Sequence, residues 1–210
     1  KSQWAHRFGV ESLEELKNLD LSEVNQKNND EDNPIILFKE WFEEAKKSEI
    51  NDPNAFALGT INNKGYPSLR MVLLKSYNDD GFVFYTNFNS DKSKAIIENS
   101  KVSMCFHWKS ILRQVRIHGH ASKVSDSEAD EYFKSRSYGS KIGAWSSDQS
   151  SILEKRDDLL KSIEKYKAKF PEQNEVPRPS YWSGWRLAPN EIEFWLDGDN
   201  RIHERLKYIK

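Results

Sequence analysis

The apolar positions of this chain follow two periods, and each period predicts a type of element. After residue 33, apolar residues recur at helical spacing. They are Ile36, Leu37, Trp41, Phe42 and Ala45. Pro34 suits the first turn of such a helix, and Asp32 or Asn33 can cap it. The sequence therefore predicts an amphipathic helix that begins at about residue 34.

Short apolar or alternating stretches between turn residues predict strands in the middle and at the end of the chain. Asn62-Asn63-Lys64-Gly65 is a hairpin signal, and Asn78-Asp79-Asp80-Gly81 turns the chain into another strand. The predicted strands are residues 55–61, 67–76, 82–86, 102–108, 114–124, 182–187, 191–196 and 201–209.

Three further helices are predicted between these strands. Residues 90–98 form a short one. Ser125 and Glu128 have capping-box spacing and predict a helix through Arg136. Ser151 and Glu154 repeat that spacing and predict a longer, charged helix to about Lys169.

This order of elements predicts a mainly β fold with helical additions, in the form of an antiparallel barrel. Residues 1–32 are polar and end in a run of Asn, Asp and Glu, so we expect a flexible N-terminal arm there. Residues 33–210 are expected to form one domain.

Composition and charge narrow the classes of partner. Hydrophobic residues make up only 37%, but 7 Trp, 11 Phe and 8 Tyr can still bury a large core. The formal net charge of -1 gives no bulk attraction to nucleic acid or to an anionic membrane, so neither partner is expected. The single cysteine, Cys105, cannot form an intrachain disulfide, which suits a cytoplasmic location.

Two clusters of cations lie on predicted strands. Arg70 and Lys75 bracket an aliphatic segment, and their spacing lets both reach one site only if the strand bends or ends there. Near the C-terminal end, four basic residues occur at every second position, so they lie on one face of the predicted strand. A phosphate-bearing ligand would relieve the repulsion between these charges. This set is Arg201, His203, Arg205 and Lys207. The alternatives are a core strand with solvated ends and a solvated edge strand.

Two more clusters lie at predicted helix ends. Tyr132 and Arg136 share a helix face, and residues 137–140 form a flexible turn with hydroxyls, a combination that suits a phosphate. Residues 146–151 are rich in Ser and are predicted to lie at a helix start, where backbone N–H groups favour an anion. A surface helix and plain N-capping are the alternatives.

A metal site is not expected. His107, His118 and His120 lie on predicted strands, but no Cys or carboxylate stands at ligand spacing beside them. Histidines on a strand face are more often structural than metal-ligating.

The clusters together resemble the pyridoxamine 5'-phosphate oxidase family from about residue 33 to the end. The motifs occur in the order typical of that family. They are Arg70-x-Val-Leu-Leu-Lys75, Phe84-Tyr85-Thr86-Asn87, Arg113-Gln114-Val115, Tyr132-Phe133-x-Ser135-Arg136, Ile142-Gly143-Ala144-Trp145-Ser146-x-x-Gln149-Ser150-Ser151, Glu193-Phe194-Trp195 and Arg201-x-His203-x-Arg205.

The resemblance implies an FMN-binding split β-barrel and a homodimer with FMN at the subunit interface. By matching positions, it assigns to FMN the residues Arg70, Met71, Val72, Leu73, Leu74, Lys75, Tyr85, Thr86, Lys92, Gln114, Gln149, Ser150, Trp195 and Arg205. It assigns to pyridoxine or pyridoxamine 5'-phosphate the residues Lys75, Tyr132, Arg136, Ser140, Arg201 and His203.

The implied reaction oxidises the 4' carbon of the substrate to give pyridoxal 5'-phosphate, and oxygen reoxidises the flavin to yield hydrogen peroxide. Arg201 and His203 are the residues expected to position the reacting end. Two departures from the family pattern stand out: Asp91 replaces a second basic residue before Lys92, and Ser137 replaces a proline. The alternatives are a related flavoenzyme of the phenazine pathway and a non-catalytic flavin- or pyridoxal-phosphate-binding protein.

Overall fold

The computed structural model describes residues 5–9 and 33–210, so most of the arm predicted over residues 1–32 lies outside the described residues. Within the described ranges the strands are β1 Ala5–Gly9, β2 Ala55–Ile61, β3 Pro67–Leu73, β4 Ser76–Asn78, β5 Gly81–Asn87, β6 Lys101–Trp108, β7 Arg113–Lys123, β8 Trp182–Leu196 and β9 Glu204–Ile209. The α-helices are α1 Pro34–Ser48, α2 Asp91–Glu98, α3 Asp126–Ser135, α4 Tyr138–Ser146 and α5 Arg156–Lys169.

The antiparallel sheet closes on itself into a barrel. Strand β8 pairs with β7 on one side, and on the other side with β5 along its first half and β9 along its second half. Strands β3 and β4 are separated only by Leu74 and Lys75, and β4 pairs with β5. The ring β3–β2–β6–β7–β8–β5–β4 is therefore continuous, and it confirms the predicted barrel with helical additions.

Aromatic residues fill one end of the barrel. Phe38 of α1 is fully buried and its ring packs edge-on against Phe82 and Phe106, at centroid distances of 4.9 and 5.2 Å. Asn33 caps this helix, since its side chain accepts a hydrogen bond from the N–H of Ile35 at 2.9 Å. Helix α1 thus closes the barrel, but its buried face differs in part from the predicted one: Phe42 and Ala45 are buried as expected, Ile36 is exposed, and Ile35 and Phe38 are buried although they were not among the predicted positions. None of the α-helices in the described ranges could span a bilayer, since the longest has 15 residues.

The sequence predicted a break between residues 187 and 191 that is not there. Residues 182–187 and 191–196 belong to the single strand β8, although Pro189 lies between them. A register shift between His118 and Gly119 of β7 accommodates the proline. A Cβ at Gly119 would lie 2.1 Å from the carbonyl oxygen of Ala188, so only glycine permits this close approach.

Three other boundaries were also predicted wrongly. The helix expected from Ser151 begins at Arg156, because Ser150 adopts a left-handed φ of 69° and the chain turns before the helix starts. The turn expected at residues 137–140 is the N-cap and first turn of helix α4, which was not predicted. The last strand begins at Glu204, so Arg201 lies in a 3-10 turn outside it.

The burial of Phe38 predicts a large loss of stability on truncation. We expect Phe38→Ala to lower the free energy of unfolding by about 3–5 kcal/mol, because it leaves a cavity among the aromatic rings at the barrel end. Urea unfolding measures the change. Ile36→Ala is the matched control, since Ile36 lies on the same helix but is 41% exposed. Equal effects of the two substitutions would contradict this packing.

Candidate active site

A cavity of about 640 Å³ lies where the barrel bends, beside helices α3 and α4. Its walls come from the β3–β4 bend, the end of β5, the start of β8 and the two helices. The lining residues are Leu73, Lys75, Tyr85, Thr86, Asn87, Tyr132, Arg136, Ser137, Ser140, Gly143, Ala144, Ser147, Gln149 and Trp182.

The β3–β4 bend brings Lys75 to this cavity. The backbone N–H of Leu74 donates to the carbonyl of Asn54 at 2.8 Å, and the Asn54 side-chain amide donates to the carbonyl of Leu74 at 3.0 Å. The N–H of Lys75 then donates to Val83 at 2.9 Å. The strand therefore ends and bends between Arg70 and Lys75, which is the condition that the sequence required for both cations to serve one region.

Two arginines, one on β8 and one in the loop before it, hold helix α3 in place through three ion pairs. Arg186 of β8 donates to both carboxylate oxygens of Glu128 at 2.9 Å. Arg178 donates from Nε to Asp130 at 2.6 Å and from Nη2 to Asp126 at 3.1 Å. The helix begins at the predicted cap, where Ser125 accepts from the N–H of Glu128 at 3.1 Å. These contacts fix the N-terminal half of α3, and Tyr132 and Arg136 lie at its C-terminal end.

The Arg136 guanidinium at the cavity wall is short of partners. Its Nη1 is buried and has no hydrogen-bond partner among the described residues. Burial lowers the pKa of Arg136, but a guanidinium stays charged at neutral pH. A buried N–H donor without an acceptor is costly, and it is costlier on a charged group. The site is therefore suited to an anionic acceptor such as a phosphate.

Helix α4 supplies one face to the cavity. Ser140, Gly143, Ala144 and Ser147 follow the spacing of adjacent turns of a helix. The buried Lys141 on the opposite side donates to the carbonyl of Gln173 at 3.2 Å, which ties the helix to the loop before β8. The residues that were predicted to form a flexible turn thus present hydroxyls from a fixed helix.

A buried lysine lies next to the cavity. Lys92, 9% exposed, donates to Thr86 at 3.1 Å, Ser90 at 3.2 Å and Gln149 at 3.1 Å. Burial, assisted by the charge of Arg70, lowers the pKa of Lys92 to about 8, although Asp91 opposes the shift. The partly buried Arg70 lies within electrostatic range of Lys92, and no carboxylate among the described residues is hydrogen-bonded to either cation, so the pair favours the binding of an anion there.

A second set of polar residues lies on the outer face of the barrel. Gln114, Trp195 and Arg205 are cross-strand neighbours on β7, β8 and β9, so their side chains share that face. The ring of His203 lies 4.7 Å from that of Trp195. None of these residues lines the cavity described above.

The turn before β9 holds Arg201 and His203 in a constrained geometry. Asn200 and Arg201 both adopt left-handed backbone, with φ of 57° and 67°. The Nδ1 atom of His203 lies 2.8 Å from Asp197 Oδ1 and 3.3 Å from the backbone N of Gly198. Strained backbone of this kind is typical of functional sites.

Sequence comparisons identify the family of this chain. A family model described as pyridoxamine 5'-phosphate oxidase matches residues 42–195, and one described as the pyridoxine 5'-phosphate oxidase C-terminal dimerisation region matches residues 182–210. A pyridoxine/pyridoxamine 5'-phosphate oxidase from Pelagibacter ubique (strain HTCC1062) is 59% identical over 195 residues, which are 89% of this chain and 94% of that protein. One from Rhizobium etli (strain CIAT 652) is 54% identical over 175 residues, 83% and 84% of the two chains.

The chain belongs to the pyridoxamine 5'-phosphate oxidase family. A solved structure agrees: PhzG from Burkholderia lata 383, in complex with tetrahydrophenazine-1-carboxylic acid, superimposes with a TM-score of 0.81 at 30% identity and covers 92% of this chain and 93% of its own. A pyridoxamine 5'-phosphate oxidase-related, FMN binding protein from Nostoc punctiforme PCC 73102 shares the fold at 14% identity, with a TM-score of 0.64 and coverage of 80% and 87%. The barrel is thus the split barrel of this family.

The residues that the family resemblance assigned fall into two groups within the described structure. The cavity brings together Leu73, Lys75, Tyr85, Thr86, Tyr132, Arg136, Ser140 and Gln149. Lys92 joins them through its hydrogen bonds, Arg70 lies within electrostatic range of Lys92, and Ser150 follows Gln149. Gln114, Trp195, Arg201, His203 and Arg205 lie outside the cavity lining. Met71 is exposed on the outer face, Val72 packs against the core and Leu74 is buried.

Three sequence interpretations of the basic strand face and the serine-rich segment need correction. Lys207 shares a strand face with Arg205 as predicted, but it pairs with Glu191 at 2.9 Å, so carboxylates on β8 neutralise it. Arg201 does not belong to that strand face, because the strand has not yet begun. The segment at residues 146–151 follows the C-terminal end of α4 and does not open a helix, so a helix dipole cannot explain anion binding there.

Several cavity residues were not predicted as part of the family site. They are Asn87, Ser137, Gly143, Ala144, Ser147 and Trp182. The spacing of Ser140, Gly143, Ala144 and Ser147 is a helical signal that could have identified the α4 face. No sequence pattern marks Trp182 as a cavity residue, because the residues that its ring contacts are distant in the sequence.

The lowered pKa of Lys92 predicts a pH dependence of stability for the protein freed of bound anions. Between about pH 8 and pH 10.5 the unfolded chain holds the Lys92 proton that the folded chain has lost, so the free energy of unfolding rises with pH across this window. The full rise is on the order of 3 kcal/mol. Urea unfolding at several pH values measures it. In Lys92→Met this rise is absent, whereas Lys94→Met, on the exposed side of the same helix, keeps it. Identical pH profiles for all three proteins would contradict this environment for Lys92.

Proposed function

We propose that this protein is an FMN-dependent oxidase that converts pyridoxine 5'-phosphate or pyridoxamine 5'-phosphate to pyridoxal 5'-phosphate, with oxygen reduced to hydrogen peroxide. The observation that carries the proposal is the buried, unpartnered Nη1 of Arg136 at the wall of the cavity. A substrate phosphate supplies the acceptor that this donor lacks. The relatives at 59% and 54% identity bear the corresponding name. The single cysteine suits a cytoplasmic location.

The substrate phosphate is proposed to bind among Lys75, Tyr132, Arg136 and Ser140. These residues combine two cations with two hydroxyls around one cavity, and this donor set matches a phosphate dianion. Arg136 supplies a planar, permanently charged donor, whereas Lys75 is exposed and has the flexible side chain of a lysine. Lys75 lies at the barrel bend and can serve both the substrate and the flavin.

The flavin phosphate is proposed to bind near Arg70 and Lys92. The donor set fits: the two cations lie within electrostatic range of each other, and Thr86, Gln149 and Ser150 add polar groups. Among the described residues, Asp91 is the carboxylate within electrostatic range of both cations, so it weakens the attraction of an anion without removing it. The chemistry that FMN supplies when bound is two-electron oxidation with oxygen as the final acceptor.

We infer that the working unit is a homodimer, because the site of one chain is incomplete. The cavity residue Leu73 lies on the outer face of the barrel, as do Gln114, Trp195 and Arg205. Leu69 and Met71, on the same strand and face as Leu73, are 74% and 66% exposed. A two-fold axis through this face buries the apolar side chains and brings the second set of one chain to the cavity of the other.

Arg201 and His203 are proposed to contact the reacting end of the substrate bound to the partner chain. Arg201 carries a permanent charge that can orient an anionic substrate. Asp197 holds the His203 ring by accepting from its Nδ1, so that the second ring nitrogen is available to exchange a proton. Asp197 thereby sets the orientation of the imidazole without touching the substrate.

Two alternatives receive less support. A phenazine-pathway oxidase is favoured only by PhzG, which is 30% identical, against 59% for the pyridoxine/pyridoxamine 5'-phosphate oxidase of Pelagibacter ubique. The second alternative, a flavin- or pyridoxal-phosphate-binding protein without catalysis, rests on Asp91. The residues proposed to hold the substrate phosphate argue against the phenazine-pathway oxidase, and flavin reduction by the substrate separates the oxidase from a non-catalytic binding protein.

Anaerobic reduction of the bound flavin tests the proposed function. We expect the purified protein to carry FMN and its visible absorbance to bleach when pyridoxine 5'-phosphate is added without oxygen. In Arg136→Ala, bleaching of the flavin should need a pyridoxine 5'-phosphate concentration that is roughly tenfold higher or more, because a charge-assisted hydrogen bond is lost. Pyridoxine without phosphate is the control, and it should act equally on both proteins. A protein that takes up FMN but is not bleached by either phosphorylated substrate is not the proposed oxidase.

Substitution of Arg201 and His203 separates substrate binding from flavin binding. We expect Arg201→Ala and His203→Ala to retain FMN, since Arg70 and Lys92 are unchanged, and to lose about 100-fold in kcat/KM, equal to about 2.7 kcal/mol. Absorbance gives flavin occupancy, and steady-state oxidation of pyridoxine 5'-phosphate gives kcat/KM. Wild-type kinetics in both variants, or loss of FMN in both, would exclude the assigned role.

A further inference from the structure

The indole ring of Trp182 lies against Arg136. Trp182 is the first residue of β8, and it is only 6% exposed although it lines the cavity. The guanidinium carbon of Arg136 lies 4.6 Å from the centroid of the Trp182 ring, closer than its 5.6 Å to Phe133. A contact at this distance is a cation–π interaction, which strengthens when the pair is withdrawn from water.

Two further rings fix the orientation of Trp182. Tyr85 lies 5.4 Å from it with an interplanar angle of 7°, and Tyr132 lies 6.1 Å from it at 3°. Tyr85 and Tyr132 stack on each other at 4.0 Å. The three rings are therefore parallel, and Trp182 cannot rotate without displacing both tyrosines. Burial raises the pKa of Tyr85 to about 12, so its hydroxyl stays neutral and adds no negative charge near Arg136.

Arg178 sets the distance between the ring and the guanidinium. Its Nη1 donates to the carbonyl of Trp182 at 2.8 Å, while Nε and Nη2 bind Asp130 and Asp126 of α3. The same side chain thus joins the residue that carries the ring to the helix that ends at Arg136. A shift of α3 relative to the start of β8 has to break these contacts.

A ring holds Arg136 differently from a carboxylate. A carboxylate partner would orient the guanidinium but would also neutralise it and occupy its N–H donors. An aromatic face orients it and leaves both the charge and the in-plane donors available. In the described part of the chain, no carboxylate forms an ion pair with Arg136. This arrangement is suited to binding a second, external anion.

We propose that Trp182 is a positioning residue that sets the preference for phosphorylated substrates by holding Arg136 against its ring. The inference rests on the proposed function and assigns to it a residue that does not itself bind the phosphate. Trp182 determines how well the chain distinguishes pyridoxine 5'-phosphate from pyridoxine, because only the phosphorylated molecule uses Arg136.

Substitutions of Trp182 test this role in the FMN-loaded protein. In Trp182→Leu, the KM for pyridoxine 5'-phosphate should rise about tenfold, the magnitude of a desolvated cation–π contact. The rise should fall on KM more than on kcat, and kcat/KM for pyridoxine should change much less than kcat/KM for pyridoxine 5'-phosphate. Inorganic phosphate should inhibit this variant about tenfold more weakly than the wild type. Trp182→Phe keeps an aromatic face and should restore most of the selectivity.

Trp145→Leu is the matched control. Trp145 belongs to the same aromatic cluster and contacts Tyr166 and Phe170, but it makes no ring contact with Arg136. The Trp145→Leu variant should be less stable but should keep the preference for pyridoxine 5'-phosphate over pyridoxine. If Trp182→Leu, like Trp145→Leu, lowers kcat/KM for pyridoxine 5'-phosphate and for pyridoxine by the same factor, Trp182 has only a packing role and the inference is wrong. A wild-type protein that oxidises neither substrate instead contradicts the proposed function.

Discussion

The double hydrogen bond between Asn54 and Leu74 is the constraint on which the site depends. It bends the chain between β3 and β4, so that one continuous run of sequence pairs with β2 before the bend and with β5 after it. The bend closes the barrel and also opens the cavity, since Leu73 and Lys75 on either side of Leu74 line its wall. A straight strand in this position would leave the barrel open and would turn Lys75 away from Arg136 and Tyr132.

The outer face of the barrel connects the two halves of the proposed site. It runs from Leu73 across β2, β6 and β7 to Trp195 and Arg205, and Leu69 and Met71 lie exposed beside Leu73 on β3. Charged residues on the same face, such as Arg116 and Glu193, pair with one another at 2.6 Å. The exposed apolar side chains of this face therefore remain to be buried. A symmetry-related partner chain buries them and at the same time completes both sites.

The sequence predicted the barrel well where local chemistry decides the structure. The Asn62–Gly65 hairpin, the Asn33 and Ser125 caps and the alternation of β6 all depend on neighbours in the chain. It failed where distant contacts decide. Gly119 lets Pro189 remain within β8, and Lys141 and Tyr138 hold α4 against the loop at residues 170–173. The family motifs identified the polar residues of the cavity, but the stacking of Trp182 on Arg136 depends on the packing of α3, which no local pattern encodes.

Complementation between two impaired variants, assayed at a substrate concentration well below the wild-type KM, tests the shared site most directly. Arg136→Ala removes a cavity residue, and Arg201→Ala removes a residue of the turn before β9, which is proposed to reach the cavity of the partner chain. In a mixed dimer, one site carries both substitutions and the other carries neither. If the two variants are unfolded together and refolded with FMN, the account predicts that activity returns to about a quarter of the wild-type value, because half of the dimers are mixed and each has one intact site. Activity no higher than that of the separate variants would contradict a site built from two chains.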